Sequence, residues 1–189
     1  MISQHLVVAV VSALLLWTGP ARGKSAPDEF VGRGRIQVLN ATDYATASIA
    51  DRIGCMNADG RMTLRDCAVF TQLPNTPFSL STSAGNCTTQ NPDMPRNTDS
   101  VYGKNSYAWW CGQKGDWEQF DEYYYTINGF PAPYICTGDI GCYWDVKAVV
   151  PAEGDALPAW RYFWGGQQMD IEPGHWKVLW LWVPVGDDE

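Results

Sequence analysis

The stretch His175-Trp-Lys-Val-Leu-Trp-Leu-Trp-Val-Pro-Val185 decides the fold. Its even-numbered positions carry Trp176, Val178, Trp180 and Trp182, and its odd-numbered positions carry Leu179, Leu181 and Val183. A segment apolar on both faces must be covered on both faces, so it reads as a central strand running under loops. Trp180 and Trp182, two residues apart, share one face and are expected to pack into the core. Upstream, Cys142 to Val150 (CYWDVKAVV) alternates, with Trp144, Val146, Ala148 and Val150 on one face and Asp145 and Lys147 on the other. Glu122 to Ile127, Asn128-Gly129 and Phe130 to Cys136 read as a hairpin, because Asn-Gly supplies the positive φ angles of a type I′ turn. Pro131 and Pro133 confine its second arm to an edge.

Toward the N-terminus, Gly34 to Leu39 alternates Ile36 and Val38 against Arg35 and Gln37, the period of a half-buried strand. A helix is expected next, capped by Thr42 or Asp43, with Ala45, Ile49 and Ile53 on one face before Gly54. The stretch from Pro74 to Thr98 is rich in Ser, Thr, Asn and Pro and reads as surface loop. The expected fold class is therefore mainly β (α+β): an antiparallel sandwich or barrel-like domain with one N-terminal helix, stabilised by disulfides.

The chain has 189 residues, and Leu6 to Trp17 forms an uncharged apolar run too short to span a bilayer. Thr18, Gly19 and Pro20 break that run, and Ala21-Arg-Gly23 offers small residues around a cleavage site. Residues 1–23 are thus expected to be a signal peptide, with the mature chain starting at Lys24, or at Pro27 if Ala26 precedes the cut. Residues 24–189 then form a single secreted domain of a size that buries its own core. Its six cysteines are Cys55, Cys67, Cys87, Cys111, Cys136 and Cys142. In an exported chain this even count implies three disulfides, and sequence proximity favours Cys55 with Cys67, Cys87 with Cys111 and Cys136 with Cys142 among the possible pairings. Asn40-Ala-Thr42 and Asn86-Cys-Thr88 are N-glycosylation sequons, so Asn40 and Asn86 are candidate glycosylation sites, the first the better one.

Formal net charge is −8, without a run of Lys or Arg, which argues against nucleic acid and anionic membranes as partners. Only two histidines occur, and His5 lies in the expected leader. Single-histidine chemistry excludes two-histidine ribonucleases and HExxH proteases, and the absence of GxSxG, GxxxxGK[ST] and GxGxxG removes the marked hydrolase, P-loop and dinucleotide classes. With no CxxC pair, zinc is not expected; no metal and no cofactor is assigned. The segment from Cys55 to Asp66 resembles a calcium loop in placing Asn57, Asp59, Gly60 and Asp66 at ligand-like spacings. Cysteine at the first ligand position makes a disulfide-closed turn with Asp59-Gly60 at its corner the expected structure.

The run from Trp109 to Tyr125 interleaves aromatics with Asp116, Glu118, Asp121 and Glu122. Its rings cannot all be buried without dragging unpaired carboxylates into the core. The residues expected to face a ligand are Trp117, Tyr124 and Asp121, flat rings beside a carboxylate that suit a sugar or a basic protein surface. A glycosidase would instead need two facing carboxylates among Asp116, Glu118, Asp121, Glu122, Asp139, Asp145, Asp170 and Glu172. Asp170, Glu172 and His175 also lie close in sequence, as an acid/base set or as a polar loop entering the last strand.

Taken together, a leader followed by a domain with six cysteines, abundant Trp and Tyr and no catalytic motif resembles the small secreted cysteine-rich proteins of filamentous fungi. The resemblance is one of architecture and transfers no site residues. It implies a secreted, extracellular, non-enzymatic binding protein, an effector or cell-wall-associated factor whose partner is a host protein or a carbohydrate. The alternative is a small glycosidase-like hydrolase using paired carboxylates.

Overall fold

The computed structural model describes residues 30–73, 79–101, 103, 106–113, 123–138, 140–163 and 170–186. The chain is mainly antiparallel β. Its strands are β1 (Arg33–Leu39), β2 (Arg52–Met56), β3 (Met62–Thr63), β4 (Phe70–Leu73), β5 (Ser79–Ser81) and β6 (Asn86–Thr88). They continue with β7 (Trp110–Gln113), β8 (Tyr124–Tyr125), β9 (Cys136–Thr137), β10 (Tyr143–Lys147), β11 (Ala159–Arg161) and β12 (His175–Pro184). The main sheet runs β11-β10-β12-β1-β4-β5-β6-β7, with the β2–β3 hairpin branching from β1. The sheet curls into a half-barrel. Its two ends meet where the Trp109 amide, at the mouth of β7, donates to the Ala159 carbonyl of β11 at 2.8 Å. The β2–β3 hairpin braces this seam, because Met62 pairs with Leu157 and the Cys111 amide donates to the Asp59 carbonyl at 3.0 Å.

Strand β12 is the central strand that its two apolar faces demand. It pairs with β1 on one side, placing Ile36 opposite Trp182 and Val38 opposite Trp180, and with β10 on the other, placing Trp144 opposite Val178. Trp144, Val178, Trp180 and Trp182 point into the main core with Ile36, Val38, Phe70 and Trp109. The Trp144 and Trp180 rings are stacked, with centroids 3.4 Å apart, and Trp109 lies 4.7 Å from Trp180. Gly34 of β1 gives Trp182 its place, since a Cβ there would come within 2.4 Å of the indole. The Nε1 atoms of Trp180 and Trp182 are buried and have no hydrogen-bond partner.

The opposite face of β12 buries Leu179 against Leu39 and Tyr134, under a layer containing Tyr44, Phe130, Tyr143 and Leu181. Two connections cross this face, and Tyr134 ties them together by donating its hydroxyl to the Ala47 carbonyl at 2.8 Å. Burial raises the pKa of Tyr44, Tyr134 and Tyr143 above the ordinary phenol value; for Tyr44 the hydrogen bond to Tyr143 adds to this, whereas the same contact acts to lower Tyr143.

The expected helix at Thr42 to Ile53 does not form. Asp43 closes a turn by accepting from the Ala45 amide through Oδ1 at 2.9 Å, and Ser48 caps a single 3₁₀ turn, Ile49–Asp51, through a reciprocal contact with Asp51. Strand β2 then starts at Arg52, because Cys55 and Met56 are buried by pairing with β1 and β3. Ile49, placed on the supposed apolar face, is 57% exposed. The expected hairpin is also shorter than its sequence. A turn forms at Ile127–Phe130, with Gly129 at φ +93, but ladder pairing is confined to Tyr124–Tyr125 with Cys136–Thr137. Pro131 and Pro133 have no N–H to extend it, and the following Tyr134 pairs with Leu181 of β12.

All three disulfides join cysteines close in sequence: Cys55 with Cys67, Cys87 with Cys111 and Cys136 with Cys142. Cys87 and Cys111 sit directly opposite one another on β6 and β7. Among the described residues, no helix is long and apolar enough to cross a membrane.

Candidate functional site

At the seam the sheet leaves a concavity of about 280 Å³, lined by Asp59, Arg61, Met94, Pro95, Ala108, Trp109, Trp110 and Pro158. Four chain segments meet there. The β2–β3 turn supplies Asp59 and Arg61, and its shape is dictated locally. Asn57 Oδ1 accepts from the amides of Asp59 and Arg61 at 3.2 and 2.8 Å, and Gly60 takes φ +80. That turn is the disulfide-linked Asp-Gly corner expected from the sequence, and its Asn57 oxygen is occupied within the turn itself. Gly60 also faces β7 closely, since a Cβ there would lie 3.0 Å from both the Cys111 amide nitrogen and the Trp109 ring.

Strand β7 supplies the aromatic wall. Alternation sends Trp109 and Cys111 into the core, 1% exposed each, and turns Trp110 and Gly112 outward. The Trp110 indole lies over Gly112, where a Cβ would come within 2.2 Å of the ring. Trp110 therefore rests flat along its own strand, half-buried, with Arg61 and Asp59 beside the cavity. A second, wider depression, about 480 Å³, is lined by residues including Arg33, Asp66, Thr71, Thr82 and Ser83, with no aromatic ring among its described lining residues.

Pro158, just before β11, is the third contribution, and the fourth comes from the connection between β6 and β7, which supplies Met94, Pro95 and Ala108. Its residues 95–99 are fastened to β10, β11 and β12 by polar contacts. The Trp160 Nε1 donates to the Pro95 carbonyl at 3.0 Å, and Asn97 Nδ2 donates to Asp145 Oδ2 at 2.7 Å. Asp145 Oδ1 lies 2.5 Å from His175 Nδ1, and His175 Nε2 lies 3.3 Å from Asp99 Oδ2. The same Asp99 oxygen forms an ion pair with Lys147. Asp145 and His175 have side chains 0% and 1% exposed, whereas Asp99 is 47% exposed, so this chain of groups runs from interior to surface.

Asp145, on the face of β10 opposite Trp144 and Val146, is nonetheless buried, 0% exposed. The alternation of β10 is as read, but Asn97, from the connection between β6 and β7, and His175 of β12 both hold the carboxylate. Asp170 and Glu172 do not converge on the imidazole: Asp170 Oδ1 accepts from the Ile171 amide and Glu172 Oε1 from the Val101 amide. His175 instead takes its neighbours from β10 and from Asp99, both missed in sequence because Asp99 lies beside a polar stretch with no local mark of chemistry.

Of the expected ligand residues, Trp117 and Asp121 lie outside the described residues, as do Asp116, Glu118, Glu122 and Asp139. Tyr124 is a correction. It is 0% exposed, and its hydroxyl accepts from Trp109 Nε1 at 2.7 Å, so the ring belongs to the core. The neighbouring Tyr123 is the outward residue, 45% exposed, as alternation requires. Among the described rings of the run, Trp109 and Trp110 line the cavity, Trp109 buried in the core and Trp110 half-buried. For the sequons, Asn40 and Thr42 are exposed at the exit of β1, while Asn86 is half-buried in β6 and Thr88 is 1% exposed. The signal-peptide expectation falls on residues outside those described. In comparisons with known proteins, the chain matches no family model, no curated protein and no solved structure.

Proposed function

We propose that this chain is a secreted, non-enzymatic binding protein, an effector or cell-wall-associated factor, that takes a neutral hydroxyl-rich ligand such as an oligosaccharide at the seam concavity. The observation that carries the reading is the Trp110 indole laid over Gly112, with Arg61 and Asp59 at the same cavity. A flat ring stacks on the apolar face of a sugar, and the guanidinium and carboxylate offer a donor and an acceptor to its hydroxyls. The net charge of −8 disfavours anionic polymers in the same place.

Among the described lining residues the one carboxylate is that of Asp59, where hydrolysis by a carboxylate pair needs two. Asp145, a candidate for such a pair, is engaged by Asn97 and His175. Both points favour binding over the glycosidase alternative. The test is intrinsic fluorescence titration of the disulfide-intact protein with neutral cello-, laminari- and chito-oligosaccharides, alongside Trp110→Ala. Saturable quenching that Trp110→Ala abolishes, with the thermal midpoint nearly unchanged, is the expected outcome. Reducing sugar released from any of these substrates, or binding untouched by Trp110→Ala, overturns the reading.

A further inference from the structure

The lining of the seam concavity divides into two halves of different chemistry. On one side Asp59 and Arg61 flank Gly60, and among the described residues neither side chain has a hydrogen bond or an ion pair, with the other or with any third group. The turn fixes them there, because Asn57 Oδ1 holds both of their amides and Gly60 makes the corner. An acceptor and a donor are thus presented at one cavity with no partner from the fold itself.

The other side is carbon. Met94, Pro95, Ala108 and Pro158 form it, and its N–H groups are already used: the Ala108 amide donates to the Pro95 carbonyl at 2.9 Å and the Met94 amide to the Asn91 carbonyl at 3.2 Å. Neither proline has an N–H to offer. Trp109 adds only ring carbon, since its Nε1 donates to Tyr124. A hydroxyl oxygen pressed against this wall would lose its water and find no donor, whereas a methyl group suits it. The volume of about 280 Å³ lies at the lower edge of ligand pockets, about 300–1,000 Å³, which fits one sugar ring with its substituent.

We propose that the sugar unit seated at Trp110 is an N-acetylhexosamine whose acetamido group spans the two halves: its N–H donates to Asp59, its carbonyl oxygen accepts from Arg61, and its methyl packs on Met94, Pro95 and Pro158. The assignment rests on the sugar-binding reading and narrows it. A plain hexose meets Trp110 through its C–H face and has only hydroxyls left for the rest of the lining, so one of them must lie on carbon. The acetamido group is uncharged and carries one donor, one acceptor and one methyl, which are the three things the lining leaves unmet. The net charge of −8 acts in the same direction, since it disfavours acidic amino-sugar polymers. Such a unit is presented either by a homopolymer of N-acetylglucosamine or by the exposed end of a glycoprotein's glycan, and the same contacts serve both.

The test is calorimetric titration of the disulfide-intact protein with four ligands: chitotetraose, its fully de-N-acetylated counterpart above the pKa of its amines, cellotetraose, and a free N-glycan ending in N-acetylglucosamine. Chitotetraose should bind at least about tenfold more tightly than cellotetraose or the deacetylated tetramer, the difference expected between a satisfied and an unsatisfied hydrogen-bonding group. Met94→Ala, with its thermal midpoint checked, should weaken chitotetraose by about fourfold, the worth of one buried methyl group, and leave cellotetraose unchanged. Saturation-transfer NMR should mark the acetyl methyl of bound chitotetraose above its ring protons. Glycan binding as tight as that of chitotetraose supports the assignment with a glycoprotein as the source, and chitotetraose binding alone supports it with the homopolymer as the source. Equal affinities for chitotetraose and cellotetraose, both abolished by Trp110→Ala, overturn the acetamido assignment and leave the sugar-binding reading standing. Loss of both tetramers alike in Met94→Ala overturns it as well, and no binding by any of the four overturns both readings.

Discussion

Four buried indoles stack or cross in the main core, and they differ in what their N–H groups find there. Trp109 Nε1 donates to the Tyr124 hydroxyl at 2.7 Å, whereas Trp180 Nε1 is buried with no partner. Replacing each by phenylalanine isolates that difference, because the two rings touch the same core and both are 1% exposed or less. The lost ring volume costs about 2 kcal/mol at either site, at roughly 0.8 kcal/mol per buried carbon-sized group. At Trp180 the change also removes an unsatisfied donor, which returns about 1–3 kcal/mol and leaves Trp180→Phe close to neutral. At Trp109 it removes a made hydrogen bond, which adds about 1 kcal/mol, so Trp109→Phe should cost about 3 kcal/mol. Urea unfolding with the disulfides intact measures both, and unchanged slopes would show that the denatured states are comparable. If Trp180→Phe destabilises as much as Trp109→Phe, the orphaned indole nitrogen is not a penalty in this core and the reasoning fails. Because the two rings lie 4.7 Å apart, the double variant should not be the sum of the singles.

Alkaline pH should unfold the protein through its tyrosines. Tyr44, Tyr134, Tyr143 and Tyr162 keep their protons in the fold at pH values where an unfolded chain has lost them, chiefly because they are buried. Their contribution is therefore complete below about pH 10 and lost as pH rises beyond it, and tyrosinate absorbance should jump with the unfolding transition rather than precede it. Gly60→Ala should cost about 2 kcal/mol, from a positive φ and from a Cβ pressed on Cys111 and Trp109, and a thermal midpoint unchanged from the native one would refute the close approach. Reduction should lower stability by about 2–5 kcal/mol for each bridge lost, and the unreduced protein should take up no alkylating reagent, as mass spectrometry would show.

The legible parts of this fold are those where one strand's own side chains state both of its faces. Strand β12 carried tryptophans on one face and leucines on the other, and no arrangement but a doubly covered strand accommodates that. The disulfides were legible because each joins neighbouring turns of chain. The segment from Asp43 to Ile53 misled because Ala45, Ile49 and Ile53 repeat at helical spacing while Asp43 and Ser48 close local turns, and because the pairing of Cys55 with β1 and β3 outweighs a weak helical preference. The burial of Asp145 was not legible, since alternation reports which face a residue occupies and says nothing of what later covers it. Its partners Asn97 and Asp99 lie far away in sequence, and a contact of that kind leaves no local pattern. Tyr124 shows the converse: an acidic neighbourhood concealed a core residue whose partner, Trp109, stands at the other end of the same run.

The pairing of β1 with β12 has a consequence for how the polypeptide comes to be made. The strand that is formed first and the strand that is formed last in the described chain are neighbours, Ile36 against Trp182, and the indoles of β12 fill the centre of the core. During synthesis the early strand must wait for nearly the whole chain before its partner emerges, with its apolar face uncovered meanwhile. The β2–β3 hairpin, bridged by Cys55 and Cys67, and the turn between β9 and β10, bridged by Cys136 and Cys142, are local units that can assemble during that wait. Truncation within β12 should thus leave a chain that oxidises locally and never completes its interior, whereas joining the adjacent ends of β1 and β12 and opening a surface turn elsewhere should preserve the native pairing.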